Sequence, residues 1–135
     1  MSKRRYVFAC VHNAGRSQMA AAWLERLADP ARCEVISAGT EPDPQVHPEV
    51  VAVMREVGIE LAERTPRRLD EEVARGATML ITMGCGEACP VLPGVRREDW
   101  PLADPKGRPI DEVRAIRDEI RARVEDLIRR EALAR

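Results

Sequence analysis

The stretch Thr78-Met79-Leu80-Ile81-Thr82-Met83 is an almost unbroken run of apolar, strand-forming residues. It constrains the fold more than any other part of the chain. A strand with one wet face alternates apolar and polar side chains. A run without that alternation is expected where both faces are covered, as in the middle of a parallel sheet with helices on either side. The neighbouring segments fit this picture. Residues 6–9 read as a first strand, residues 33–37 as a second that ends at Gly39, and residues 96–100 as a short fourth. Helical patterns lie between them. Residues 17–28 carry Met19, Trp23 and Leu27 four apart and stop at Asp29-Pro30, and residues 48–57 present Val50, Val53, Met54 and Val57 on one face before Gly58. A short helix is expected over residues 69–75. The clearest helix runs from residue 109 to about 130, with Val113, Ile116, Ile120, Val124 and Leu127 in one stripe. It also carries Glu119/Arg123, Glu125/Arg129 and Asp126/Arg130 as i,i+4 pairs. Strands alternating with helices predict an α/β fold, a small parallel sheet closed by right-handed crossovers.

A chain of 135 residues is long enough for one domain, residues 1–135, and short of two. No apolar run approaches the length of a membrane span. The basic start, Met1-Ser2-Lys3-Arg4-Arg5, is followed by too short an apolar stretch for a secretory signal, so a cytoplasmic protein is expected. The net charge of −1 argues against a nucleic-acid surface, and the 20 Arg are interleaved with acids as on an ion-paired exterior. With no export signal, the four Cys are expected to be reduced, and so available for chemistry or metal binding.

Cys10 opens the segment Cys10-Val11-His12-Asn13-Ala14-Gly15-Arg16-Ser17, between the first strand and the first helix. With so many Arg, a Cys and an Arg six apart arise easily by chance; the context carries the weight. The unsatisfied N–H groups and positive dipole end of a helix N-terminus favour an anion, and they favour a thiolate over a thiol. Gly15 allows close approach or a positive φ. Asn13 can brace the loop through its side chain, and Arg16 offers a planar fork to two oxyanion oxygens. The N–H groups of Val11, His12, Asn13, Ala14, Gly15, Arg16 and Ser17 would form the cradle. The bland alternative is a buried Cys ending a strand beside a surface Arg.

Residues 10–19 closely resemble the phosphate-binding loop of arsenate reductases built on the low-molecular-weight protein tyrosine phosphatase fold. Ser37-Ala38-Gly39-Thr40 and Asp104-Pro105 fall in the expected order, so the similarity spans nearly the whole chain. The resemblance implies a sheet of four parallel strands flanked by helices, with the first and third strands adjacent. It also implies an anion site beyond their carboxyl ends. By the same resemblance Cys10 is the nucleophile. Asp104 is then the acid that protonates the departing oxygen, although two other Asp-Pro pairs, at Asp29 and Asp43, are ordinary turn chemistry.

Cys85 and Cys89 sit in Met83-Gly84-Cys85-Gly86-Glu87-Ala88-Cys89-Pro90. The resemblance implies that Cys85 resolves the Cys10–arsenic adduct, releasing arsenite and leaving a Cys10–Cys85 disulfide. Cys89 would then pass the disulfide to thioredoxin. The spacing of these two cysteines is shorter than in well-known thioredoxin-coupled members. A related branch uses mycothiol to attack the adduct and a glutaredoxin-like mycoredoxin to regenerate Cys10, and both branches remain open. Packing roles for Cys85 and Cys89 are a further alternative. Zinc binding with His12 or His47 lacks four ligands in paired spacings, so no metal is expected. The thioredoxin-coupled branch can carry a potassium site using a Glu in the first helix, where this chain has Ala21. Cys33 reads as a core residue, and neither His12 nor His47 is expected to act as an acid or base.

The resemblance therefore implies an arsenate reductase with arsenate as substrate and phosphate as competitor. It would hold no bound cofactor, draw on an external thiol reductant and work as a monomer. The same loop could instead serve a low-molecular-weight phosphatase acting through a Cys10 phosphoenzyme. It could also serve a non-catalytic redox sensor or oxyanion-binding module. The chain has only Tyr6, Phe8, Trp23 and Trp100 as aromatics, and Lys106-Gly107-Arg108 follows Asp104-Pro105. That composition disfavours a phosphotyrosine peptide.

Overall fold

A computed structural model describes residues 3–84 and 93–135. In chain order the elements are β1 (Arg4–Cys10), α1 (Arg16–Leu27), β2 (Cys33–Gly39), α2 (Pro48–Arg55), α3 (Glu71–Ala74), β3 (Met79–Thr82), β4 (Arg96–Asp99) and α4 (Ile110–Glu131). All pairings are parallel and the strand order is β2-β1-β3-β4. The expected four-stranded α/β sheet with β1 beside β3 is the one observed.

Every residue of β3 is buried, as its unbroken apolar run requires. In β1 the side chains alternate between two cores. Tyr6, Phe8 and Cys10 join Met79 and Ile81 under α1, α2 and α4, while Val7 and Ala9 join Leu80 under α3 and the segment leading to β3. The α4 stripe of Val113, Ile116, Ile120, Val124 and Leu127 is buried along its length, each side chain worth about 1.5–3 kcal/mol when fully removed from water. β4 lies at the sheet edge and all four of its residues are charged, a composition that blunts pairing with other chains.

Several boundaries differ from expectation for local reasons. β1 extends back to Arg4 because pairing needs only backbone, and the Arg5 guanidinium meets the Glu34 carboxylate of β2 at 3.2 Å. The helix before β3 is only four residues long, opened by the Asp70 carboxylate accepting from Val73 N at 2.7 Å. α2 stops at Arg55, two residues early, in a turn that Gly58 closes at φ +80°. On α4, Glu119/Arg123 and Asp126/Arg130 pair as expected, but Glu125 meets Arg121 and Arg129 reaches Asp126. No helix among the described residues is long and apolar enough to cross a membrane.

The register sets Cys10 opposite Gly39, Ala9 opposite Thr82, and Thr82 opposite Asp99. The carboxyl ends of all four strands therefore form one row. The segments that follow them start from one edge of the sheet.

Candidate active site

Cys10 ends β1 with its side chain buried, and its Sγ lies 2.8 Å from the Ser17 Oγ in the first turn of α1. The Asn13 Nδ2 donates to the same Ser17 oxygen at 2.7 Å. Ser17 therefore receives one hydrogen bond from Asn13 and keeps its own proton free to point at the sulfur.

The loop is shaped by its short polar residues. The positive φ lies at Asn13, at +50°, and Gly15 takes φ −139°. Asn tolerates the left-handed region better than most residues, and its side chain secures it there. Asn13 Oδ1 accepts from Arg67 N at 2.9 Å and from Gln18 Nε2 at 3.2 Å. Gly15 is instead required for close approach, since a Cβ there would stand 2.8 Å from Pro105 Cγ. Gly39 is needed for the same reason, because its Cβ would come within 2.6 Å of Val11 O and 2.8 Å of Asn13 N.

The segment after β2 wraps the outside of the loop. Thr40, Glu41, Asp43 and His47 N–H groups donate in turn to the carbonyls of Cys10, Val11, His12 and Ala14. With its carbonyls tied outward, the loop enters α1 at Gly15, which supplies no side-chain cap, and the first turn of α1 holds no acid. The first-turn N–H groups are thereby kept for an anion.

Arg16 crosses the row of strand ends. Its Nη1 donates to Leu102 O at 3.1 Å, and its Nη2 stands 3.8 Å from the Asp104 carboxylate. A Cβ on Gly84, just beyond β3, would collide with Arg16 Nη1. Asp104 Oδ1 accepts from Lys106 N at 3.0 Å, which holds the half-exposed carboxylate over the site. The loops after β1, β3 and β4 thus meet at one guanidinium. Of the residues expected in the site, Arg16 and Asp104 are brought together, and Cys10 ends the strand whose loop leads into Arg16.

The histidines belong to the wrapping segment. His12 Nδ1 faces Glu41 O at 3.2 Å and Asp43 Oδ1 at 3.5 Å, and buried His47 lies 3.9 Å from Asp43 Oδ2. Asp43, expected only to form a turn, sits between the two rings. Asp29 does form a turn, its Oδ1 accepting from Ala31 N at 2.9 Å. Cys33 is buried at the far end of the sheet, and burial pushes its thiol up from the usual value. Cys85 and Cys89 lie outside the described residues.

The first-helix position that would supply a Glu to a potassium ion is Ala21, which is buried in the apolar core and offers no side-chain oxygen. Among the described residues no cluster of three or more His, Cys, Asp or Glu is set out to hold a metal. All four aromatic residues are buried, so none lines a cleft beside Asp104.

Sequence reasoning missed Gln18, Gly84 and Pro105 as parts of the site. Gln18 stands three residues after the Gly15 cap, the spacing at which a Gln reaches back over a helix start. That signal was available. Gly84 and Pro105 matter only through contacts across the fold.

A family model described as low molecular weight phosphotyrosine protein phosphatase matches residues 5–135. A Halobacterium salinarum protein provisionally named an arsenate reductase is 42% identical over 132 residues, covering 93% of this chain and 92% of its own length. An arsenate reductase of Staphylococcus aureus strain Newman is 37% identical over 131 residues, covering 93% and 97%. A solved structure of a Corynebacterium glutamicum thioredoxin-dependent arsenate reductase superposes with a TM-score of 0.81 at 38% identity. That match takes in 94% of this chain and 61% of that one, so the chain spans under two thirds of that relative.

Proposed function

The chain belongs to the low molecular weight phosphotyrosine protein phosphatase family, and we propose that within it this protein reduces arsenate to arsenite. Arsenate enters the cradle formed by the loop from Val11 to Ser17, with two of its oxygens on the Arg16 guanidinium. The Cys10 thiolate attacks arsenic, and Asp104 delivers a proton to the oxygen that leaves as water. The product is a Cys10–arsenic(V) thioester. A second thiolate then attacks the Cys10 sulfur. The sulfur–arsenic bond breaks, its electron pair stays on arsenic as arsenite, and the two sulfurs end as a disulfide. Cys85 is the second thiol in this reading, Cys89 the one that hands the disulfide to thioredoxin. Attack on the adduct by mycothiol, with a mycoredoxin regenerating Cys10, is the variant in which Cys85 and Cys89 are dispensable. Either route needs a reducing partner, which fits a cytoplasmic enzyme working as a monomer without a bound cofactor.

The observation that carries the reading is a pair of contacts in the loops beyond the carboxyl edge of the sheet, Cys10 with Ser17 and Arg16 with Asp104. That geometry serves hydrolysis as well as reduction, and the family model itself is described as a phosphatase. Reduction is favoured by relatives named arsenate reductases along nearly the whole chain and by the two further cysteines after β3. The lack of an exposed aromatic residue beside Asp104 argues in the same direction. The discriminating experiment assays arsenite formation with thioredoxin and with mycothiol plus mycoredoxin, and aryl phosphate hydrolysis alongside. Cys85→Ser and Cys89→Ser should abolish the thioredoxin-coupled reaction and spare a mycothiol-coupled one. Efficient ester hydrolysis indifferent to both substitutions, with no arsenite from either system, would make the protein a phosphatase.

A further inference from the structure

Gln18 is almost fully buried in the first turn of α1, and its two amide atoms fare differently. Nε2 donates to Asn13 O at 3.0 Å and to Asn13 Oδ1 at 3.2 Å. Oε1 is buried and has no hydrogen-bond partner among the described residues. Turning the amide over would set its oxygen against two acceptors, so this orientation is dictated by Asn13. An unpaired buried carbonyl is costly, and Met or Leu would fill the same space without that cost. The amide is therefore explained by what it holds.

What it holds is the residue in the left-handed conformation. Asn13 in turn donates to Ser17 Oγ at 2.7 Å, which lies 2.8 Å from Cys10 Sγ. We propose that Gln18 is a positioning residue: by securing Asn13 it aims the Ser17 hydroxyl at Cys10 and so governs the reactivity of that thiolate. The proposal rests on the reading of Cys10 as nucleophile.

The test is the pH–rate profile for alkylation of Cys10 by iodoacetamide, followed on the Cys10 peptide by mass spectrometry. Gln18→Met keeps the length and removes the donor. It should slow Cys10 alkylation at neutral pH about fivefold, the loss of roughly one hydrogen bond, and move the profile to higher pH. Gln18→Glu, whose carboxylate repels both acceptors, should act in the same direction and serves if the Met variant does not fold. In an Asn13→Ala background, adding Gln18→Met should change the profile little, because its route to the sulfur is gone. A native profile in either folded Gln18 variant overturns the proposal, as does an undiminished effect in the Asn13→Ala background. Undiminished arsenate reduction by Cys10→Ser would instead remove the nucleophile reading beneath it.

Discussion

Arg16 shows how much of this site depends on single contacts. Its guanidinium is held by Leu102 O on one side and covered by Gly84 on the other, with Asp104 3.8 Å away. Gly84 has φ +91°, so any side chain there is strained as well as crowding. Gly84→Ala is therefore expected to displace Arg16 and raise the KM for arsenate at least about tenfold, the scale of losing a charge-assisted hydrogen bond. Steady-state kinetics with a parallel thermal melt check this; an unchanged KM would mean that Arg16 does not hold the substrate. Arg16 was legible from its spacing to Cys10 and its place before a helix. Its anchors were not, because Gly84 and Leu102 reach it only after β3 and β4 are set beside β1. A positive φ was expected, if anywhere, at Gly15; it lies instead at Asn13, expected only to brace the loop, and the hydrogen bonds of that side chain secure it there.

Among the elements, α2 and α4 are tied by Glu56, which meets Arg114 at 2.7 Å and Arg117 at 2.9 Å. Hydrogen bonds from Arg114 and then Arg117 pull the Glu56 carboxyl down from 4.5 to about 2. A carboxylate held below its unfolded value stabilises the fold above about 4.5, and that contribution fades as pH falls toward the folded value. Native protein should thus melt above Glu56→Gln at neutral pH, and the gap should close on acidification through that window. The group is exposed, so the gap should be small and shrink with salt. A gap that persists down to the folded value would assign the effect to packing. At this scale the sequence was informative where periodicity was strong. The α4 stripe and the buried β3 run led directly to the observed layers. Ion-pair partners were less legible, because Glu125 had Arg121 and Arg129 equally spaced and the neighbouring Asp126 took Arg129. The extension of β1 through Arg4 and Arg5 follows from pairing with β2, which side-chain character does not announce.

Across the whole molecule, first strand, edge strand and last helix are joined through Glu131, which accepts from Tyr6 Oη at 2.8 Å and pairs with Arg96. Burial, then the hydrogen bond to Glu131, pushes the Tyr6 phenol up from 10.0 to about 12. A phenol raised in this way stabilises the fold below about 10.0 and loses that contribution as pH climbs toward about 12. Tyr6→Phe should lower the melting temperature by a few degrees at neutral pH, with the difference vanishing over that alkaline range; a constant difference would point to packing alone. These ties sit away from the anion loop and hold the frame on which four strand ends meet. The α/β architecture and the Cys10 loop could both be read from the chain. The wrapping of that loop by residues 40–47 could not, since it is built from backbone hydrogen bonds that any sequence offers.

Electron transfer to arsenate through Cys10 is tested by the rate of arsenite formation by the reduced protein with arsenate and each reducing system, set beside Cys10→Ser. If Cys10 has this role, sustained turnover is expected with at least one system and none above background in the variant. No arsenite with any system, or turnover that survives Cys10→Ser, would contradict it.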